Sequence, residues 1–317
     1  MTAFGEMLEG TLGRLLEWRS ATGYEASSFR RQIAPFIAYC GERWPDASAI
    51  GQEMVDGWLA ARDLSTNGQI KFISCVREYA RFAVFEGRVD FVPGEEYSLS
   101  KELFHPYLFA DDELAALFRA LDSHVGRAGG KRLLPEFVVP VWSRLLYCCG
   151  MRPQEPGALL RSDVDVRTGD LYIRQTKRSR DRHIIMSGDM SELCARYDEL
   201  AGGGRTWFFE RYDGRPYEAT WFRRAWNAAL AESGVAWRGS PRPYDLRHAF
   251  ATRNLARWID GGNDVMSLVP ALSAYLGHSE LSSTLYYVHL LPDRLRASAC
   301  VDWGLLSAAC AGGGGPR

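Results

Sequence analysis

Leu276-Gly277-His278-Ser279-Glu280-Leu281-Ser282-Ser283-Thr284-Leu285-Tyr286-Tyr287-Val288-His289 is the stretch from which the rest of the chain becomes readable. It carries His278 directly after a glycine, and Tyr287 nine residues later. Upstream, Pro243-Tyr244-Asp245-Leu246-Arg247-His248 supplies one arginine, and Gly150-Met151-Arg152-Pro153-Gln154-Glu155 supplies another. A lone tyrosine says nothing, because most are core or surface residues. Two arginines, a histidine and a late tyrosine in fixed order across more than a hundred residues say more.

The set suits one chemistry, the making and breaking of a phosphodiester through a phosphotyrosine. Without a metal, three requirements follow. The pentacoordinate transition state places negative charge on the non-bridging oxygens, so fixed cations must meet it. Arginine fits, because its planar fork donates two aligned hydrogen bonds and keeps its charge. The leaving 5′ oxygen needs a proton donor. A nucleophile must also be held in line, and a tyrosine ester stores the bond for attack by a second DNA end.

Each residue taken alone has a plainer reading. Arg152 follows Gly150, a helix-end turn, where a surface arginine at a junction is ordinary; Glu155 is close enough to orient it. Arg247 lies one helical turn after Tyr244, so both can face one cleft, but a buried arginine paired with Asp245 fits equally. His278 after Gly277 also reads as a helix-capping histidine. Lys177 falls in a turn, where lysines are usually just exposed. Arg174-Gln175-Thr176-Lys177-Arg178-Ser179-Arg180-Asp181-Arg182 carries five basic residues and one acid. It reads either as a solvated turn or as a phosphate-binding patch.

At 317 residues the chain is long enough for two domains with separate cores. Its 38 Lys and Arg nearly balance 39 Asp and Glu, so total charge does not point to a polyanion. The seven cysteines, Cys40, Cys75, Cys148, Cys149, Cys194, Cys300 and Cys310, lack framework spacing and sit mostly in apolar helical patterns. No Cys-x-x-Cys pair or His-Cys cluster suggests a metal site. The first residues, Met1-Thr2-Ala3-Phe4-Gly5-Glu6, lack the basic flank and apolar core of a signal peptide. No run approaches a membrane span. A reduced, cytoplasmic protein is expected.

The first ninety residues read as helices: a leading one over 7–18, then faces built from Phe29, Ile33, Phe36, Ile37 and Cys40, from Ile50, Met54, Val55, Trp58 and Leu59, and from Ile70, Ile73, Val76, Tyr79, Ala80 and Ala83. From about Arg88 to Pro106 the helical period fails, as in an interdomain linker. A helix restarts with Asp111 as N-cap and Leu114, Leu117, Phe118 and Leu121 on one face. Phe137 to Cys149 is nearly all apolar. Val164-Asp165-Val166 and Leu171-Tyr172-Ile173-Arg174 flank a turn as a hairpin, with Arg182-His183-Ile184-Ile185-Met186 as a third strand. Helices follow over 189–200, 220–232, 244–258, 265–275 and 282–290, and Gly312-Gly313-Gly314-Gly315 ends the chain as a flexible tail. The fold class is mainly α with a small antiparallel β-sheet. Domains are expected at 1–90 and 107–317, with 91–106 between them.

Over roughly residues 105–295 the segments resemble the tyrosine recombinase (phage integrase) family. Gly150-Met151-Arg152-Pro153-Gln154-Glu155 resembles its Gly-Leu-Arg-x-x-Glu motif. Lys177-Arg178-Ser179-Arg180-Asp181-Arg182-His183-Ile184-Ile185-Met186 aligns without a gap with its Lys-x-x-Lys-x-Arg-x-Val-Pro-Leu stretch. Tyr244-Asp245-Leu246-Arg247-His248 follows its His-x-Leu-Arg-His box except at the first position, and Leu-Gly-His with Tyr-x-His places His278, Tyr287 and His289. Tyr286 is one residue short of the family spacing.

The resemblance implies Tyr287 as nucleophile, Lys177 as general acid, Arg152, Arg247, His278 and Tyr244 as further catalytic residues, and Glu155 and His289 in support. Arg178, Arg180 and Arg182 are expected on DNA. Tyr244 departs from the pattern: the usual histidine is thought to help move the nucleophile's proton, whereas a phenol with an ordinary pKa near 10 is a poor base. Activity should persist, with room for a slow enzyme. The family further implies a helical core-binding (SAM-like) DNA-binding domain at the N-terminus and an α+β catalytic domain, together a C-shaped clamp on duplex DNA. It also implies a 3′-phosphotyrosyl intermediate, a free 5′-hydroxyl, a Holliday junction, and no metal, ATP or other cofactor.

Site-specific recombination of a mobile element (integration, excision or resolution) is therefore the leading expectation. Its partners are double-stranded DNA, a homotetramer on paired sites that is monomeric or weakly associated when free, and accessory recombinases. A type IB topoisomerase that only relaxes DNA, or a catalytically silent DNA-binding regulator on the same fold, are the alternatives. After Pro292, residues 293–306 resume helical spacing with Leu295, Ala299, Trp303 and Leu306 near one face. The resemblance implies docking on a neighbouring protomer, and docking on its own domain is the competing reading.

Overall fold

The computed structural model describes residues 2–100, 105–123, 134–174 and 181–291, and the chain divides into two units, Met1–His105 and Pro106–Arg317. Lys177, Arg178, Arg180, Cys300, Cys310 and the segment after Leu291 lie outside the described residues.

The first unit is four helices, α1 (Ala3–Ala21), α2 (Ser27–Arg43), α3 (Gln52–Ala60) and α4 (Thr66–Phe85). Thr2 and Ser65 open α1 and α4, their hydroxyls accepting from the N–H of Gly5 at 3.1 Å and Gly68 at 3.3 Å, donors that a helix start leaves unsatisfied. One-face spacing then decides the core: Leu8, Leu12 and Leu15 of α1 meet Ile33, Phe36 and Ile37 of α2 and Val76 and Tyr79 of α4. Phe36 packs edge-on against both Trp58 and Phe72. Burial supplies roughly 1.5–3 kcal/mol per large side chain here, and one polar group is satisfied inside, the Tyr79 hydroxyl donating to the Leu8 carbonyl at 2.9 Å.

Part of the stretch expected as a linker is held on this unit. The Phe91 N–H donates to Ile50 O at 2.8 Å, and Arg77 donates to the carbonyls of Pro93, at 2.7 Å, and Gly94. Phe91 and Tyr97 pack against its core.

The second unit places α5 (Asp111–Ser123), α6 (Leu134–Cys148), α7 (Gly188–Ala201), α8 (Ala219–Glu232), α9 (Pro243–Asp260), α10 (Val265–Leu276) and α11 (Ser282–His289) around a small sheet. At the start of α5, Asp111 is the first helical residue rather than the cap, and Glu113 accepts from the Ala110 N–H at 2.9 Å. The sheet is antiparallel in the order β1 (Val164–Asp165), β2 (Asp170–Ile173), β3 (Arg182–Ile185), with Leu171 opposite Ile184 and Ile173 opposite Arg182. Strand side chains alternate between faces, so Arg182, Ile184 and Met186 point inward while His183 and Ile185 are exposed. Apolar α6 lies in the core, and its Trp142 stacks on Phe222 at 5.2 Å.

The fold is mainly α with a small antiparallel sheet. Cys40, Cys75, Cys149 and Cys194 are buried free thiols, and burial pushes Cys40 and Cys194 up to about 12, as for small core hydrophobes. No helix among the described residues is long and apolar enough to cross a membrane.

Candidate active site

Two glycines shape the site. Gly150 follows α6 with φ +62°, and Gly277 follows α10 with φ +68°, the left-handed conformation that ends helices and that a side chain disfavours. Space is short as well: a Cβ on Gly150 would clash with Phe250 at 2.6 Å, and one on Gly277 would press on the Arg182 side chain at 3.0 Å. Each turn aims a carbonyl at an arginine. Gly150 O accepts from Arg247 Nη1 at 2.6 Å, and Gly277 O accepts from Arg152 Nη2 at 2.7 Å.

Arg247 lies in the second turn of α9, which Pro243 starts and Asp245 caps by accepting from the Arg242 N–H at 2.7 Å. Asp245 is thus turned to Arg242 and does not pair with Arg247. The Arg247 guanidinium is fully buried. Its Nη2 donates to Leu276 O at 2.7 Å and to His278 Nε2 at 3.1 Å, while Nε has no hydrogen-bond partner among the described residues. Burial, then Arg152 nearby, lowers its pKa. No carboxylate of the described residues forms an ion pair with it, so this is a buried cation without direct compensation, a costly arrangement.

Arg152 is held differently. Glu155 accepts from its Nη1 at 2.8 Å and its N–H at 2.7 Å. The same carboxylate accepts both Nη groups of Arg182, at 2.9 and 2.7 Å, and Arg182 Nε donates to Tyr275 O at 3.0 Å. Burial pushes the Glu155 carboxyl up, but the hydrogen bonds and charge of Arg182 and the Arg152 N–H outweigh it and hold it below the usual range. Arg182, expected on DNA, is instead buried by strand alternation, with its guanidinium bonded to Glu155 and to Tyr275 O inside the protein.

His278 accepts from Arg247 at Nε2, so its Nδ1 carries the proton and donates to Thr284 Oγ1 at 2.7 Å. Burial, then Arg247, Arg152 and Arg182, lowers its pKa to about 4, which keeps it neutral near pH 7. Tyr287 is buried on α11, with its hydroxyl 3.0 Å from His248 Nδ1. Burial raises it to about 12, against the pull of Arg247. Arg152, Tyr244, His248, His278, Tyr286 and Tyr287 line one cleft of 520 Å³, with Arg247 beneath His278. His289 is exposed at the end of α11 and is not part of the lining.

The cleft thus joins Arg152, Tyr244, His278 and Tyr287 over Arg247, with Glu155 behind Arg152. Sequence reasoning left His248, Thr284 and the inward role of Arg182 unassigned. The two-residue alternation of β3 is the signal for Arg182, and the last position of the Tyr244–His248 motif is the signal for His248.

The phage integrase family model matches residues 112–294, more than half of the chain. The chain belongs to the phage integrase family. This integrase-family chain is 26% identical over 304 residues to the Sinorhizobium fredii integrase/recombinase y4rE, covering 94% of this chain and 97% of that one. It is 26% identical over 302 residues to the tyrosine recombinase XerD of Brucella abortus, covering 91% and 94%. Among solved structures, a lambda integrase dimer bound to a COC′ core site superposes with a TM-score of 0.63 at 18% identity, covering 88% of this chain and 76% of that one. A Tn1549 transposon integrase in complex with transposon right end DNA gives 0.61 at 13% identity, covering 87% and 94%. These structures share the fold. The family and its curated recombinase relatives make the chain a tyrosine recombinase.

Proposed function

We propose that this tyrosine recombinase, a site-specific DNA recombinase by family, cuts and rejoins duplex DNA with Tyr287 as its nucleophile. The observation that carries the reading is the buried, acid-free Arg247 under a cleft that also holds Arg152, neutral His278 and the Tyr287 hydroxyl. A cation kept at that cost is matched by an anion, and in a water-poor site its charge acts strongly on a phosphorane. Arg152 offers its fork from the cleft wall, positioned by Glu155. Tyr244 donates a hydrogen bond to the phosphate, and Lys177 protonates the leaving 5′ oxygen. The product is a 3′-phosphotyrosyl ester and a free 5′-hydroxyl, and attack by a partner strand leads through a Holliday junction.

Tyr287 is seated beside His248 in the same cleft as Arg152 and His278 of its own chain, which supports a nucleophile that serves its own protomer. In this reading the core-binding domain expected at 1–90 lies within the unit Met1–His105, paired sites are held by a homotetramer, and Arg178 and Arg180 touch the backbone beside Lys177. The tetramer is supported by lambda integrase, whose structures include a dimer on a core site and a tetramer on a Holliday junction. The transposon integrase bound to transposon-end DNA supports a mobile-element role.

A nicked suicide substrate tests the assignment. Wild type should accumulate a covalent protein–DNA complex, and Tyr287→Phe should form none while binding the duplex normally, since only the bond-forming oxygen is lost. A complex that survives Tyr287→Phe and disappears in Tyr286→Phe would move the nucleophile by one residue.

A further inference from the structure

Tyr244 stands where the family pattern has a histidine, and a phenol is a poor proton acceptor near neutral pH. The proton of Tyr287 therefore needs another destination. His278 does not supply it, because Nε2 accepts from Arg247 and Nδ1 donates to Thr284. His248, one residue after Arg247 on α9, is within reach. Its Nδ1 lies 3.0 Å from the Tyr287 hydroxyl, and both side chains are buried. Its Nε2 faces Asp245 Oδ1 at 4.0 Å, and Asp245 is itself fixed by the Arg242 N–H.

We propose that His248 is the catalytic group that takes the phenolic proton of Tyr287, with Asp245 as the positioning residue for its imidazole. The inference rests on Tyr287 being the nucleophile. In the step, a Tyr287 Oη lone pair forms the bond to phosphorus and the bond from phosphorus to the 5′ oxygen breaks. The Oη proton passes to His248 Nδ1, and the 5′ oxygen takes its proton from the general acid. The step uses the tautomer with Nδ1 bare and the other proton on Nε2, toward Asp245, whose negative charge then steadies the imidazolium. On rejoining, the imidazolium returns the proton as the tyrosine leaves. No oxidant, metal or further reactant is needed.

The charged and titratable groups around the ring are Arg242 at the cap of α9, Tyr244, Asp245 and Arg247 of α9, His278 after α10, and Tyr287 of α11. In the DNA-free protein burial, then Arg242, Arg247 and His278, lowers His248 to about 3, which leaves it neutral. A phosphodiester entering the cleft adds negative charge against those cations. The imidazole thus becomes a stronger base when substrate is bound.

The test compares full-length wild type, Tyr287→Phe, His248→Ala and His248→Asn on the nicked suicide substrate, with melting curves and duplex binding measured alongside. Asparagine keeps a hydrogen-bonding group near the place of Nδ1 but is not a base. Both His248 variants should bind duplex as wild type does and form the covalent complex at least about a hundredfold more slowly. Added imidazole should raise the His248→Ala rate by about tenfold or more and leave wild type unchanged. A 5′-bridging phosphorothiolate, which relieves only the leaving-group side, should not rescue His248→Ala. Wild-type rates in His248→Asn, or a folded, DNA-binding His248→Ala that ignores imidazole, overturn the role of His248 and leave Tyr287 in place. A wild type that forms no Tyr287-dependent complex overturns the nucleophile, and this inference with it.

Discussion

Arg182 and Glu155 meet as parallel forks, Nη1 on Oε1 at 2.9 Å and Nη2 on Oε2 at 2.7 Å, with both side chains buried. Glu155 also takes two hydrogen bonds from Arg152. One carboxylate therefore joins an arginine of the core to an arginine of the cleft. The Arg182 Nε bond to Tyr275 O extends the network to α10, just before the Gly277 turn that holds Arg152 from its other side.

Removing either member should hurt stability and chemistry together. Glu155→Ala strands the buried Arg182 charge, at a cost of about 3–5 kcal/mol, and frees the Arg152 side chain. Arg182→Ala should likewise lower the unfolding midpoint and slow cleavage while leaving duplex affinity near wild type. Denaturant unfolding beside a binding titration checks this. An unchanged midpoint with weakened binding would put Arg182 back on the DNA.

Arg152 and Arg247 should each be needed for cleavage, and lysine should not replace them. Alanine at either site is expected to slow formation of the covalent complex by about a hundredfold or more. At Arg247, one guanidinium serves Gly150 O, Leu276 O and His278 Nε2. An ammonium lacks that fork, so Arg247→Lys should stay at least about tenfold below wild type. Near-normal single-turnover rates in Arg247→Lys would reduce its role to charge alone.

The helix order was legible because its signals are side-chain patterns: Leu114, Leu117 and Leu121 repeat on one face, and all three are buried on α5. The cleft residues were legible as an ordered set, but their contacts were not. Arg247 is held by two backbone carbonyls, and a carbonyl carries no residue identity; only the glycine at position 150 marks one of them. Arg182 belongs in sequence both to the basic turn and to the third strand, and its alternation with Ile184 and Met186 puts it on the inner face of β3. His248 ends a visible motif, but the Tyr287 hydroxyl it meets is 39 residues away, a pairing that only the packing of α11 on α9 creates.

Tyr244 lines the cleft with its ring 4.9 Å from that of His248. Tyr244→His restores the family's residue and should preserve or raise the cleavage rate. Tyr244→Phe keeps the ring and removes the hydroxyl offered to the phosphate, so it should fall below wild type. Single-turnover cleavage of the three proteins decides. Equal rates for tyrosine and phenylalanine would show that the hydroxyl contributes nothing.

Acid should loosen the DNA-free protein through the same cleft. Burial first, and then neighbouring arginines, lowers His248 to about 3 and His278 to about 4, against 6.5 for the unperturbed side chain. Between those values the unfolded chain binds protons that the folded chain does not, so stability rises with pH across this window and is lost as pH falls through it. At pH 5 the loss is about 2 kcal/mol for His248, and less for half-buried His278, where solvent screens the charge. Asp245, raised by burial, opposes the trend at lower pH. The melting temperature should fall by roughly 5–10 °C between pH 7 and pH 5, and by much less in a protein carrying His248→Gln and His278→Gln. A bound duplex should also shrink the loss, because phosphate charge favours both imidazolium ions. A double variant that keeps the full acid sensitivity would place its source elsewhere in the fold.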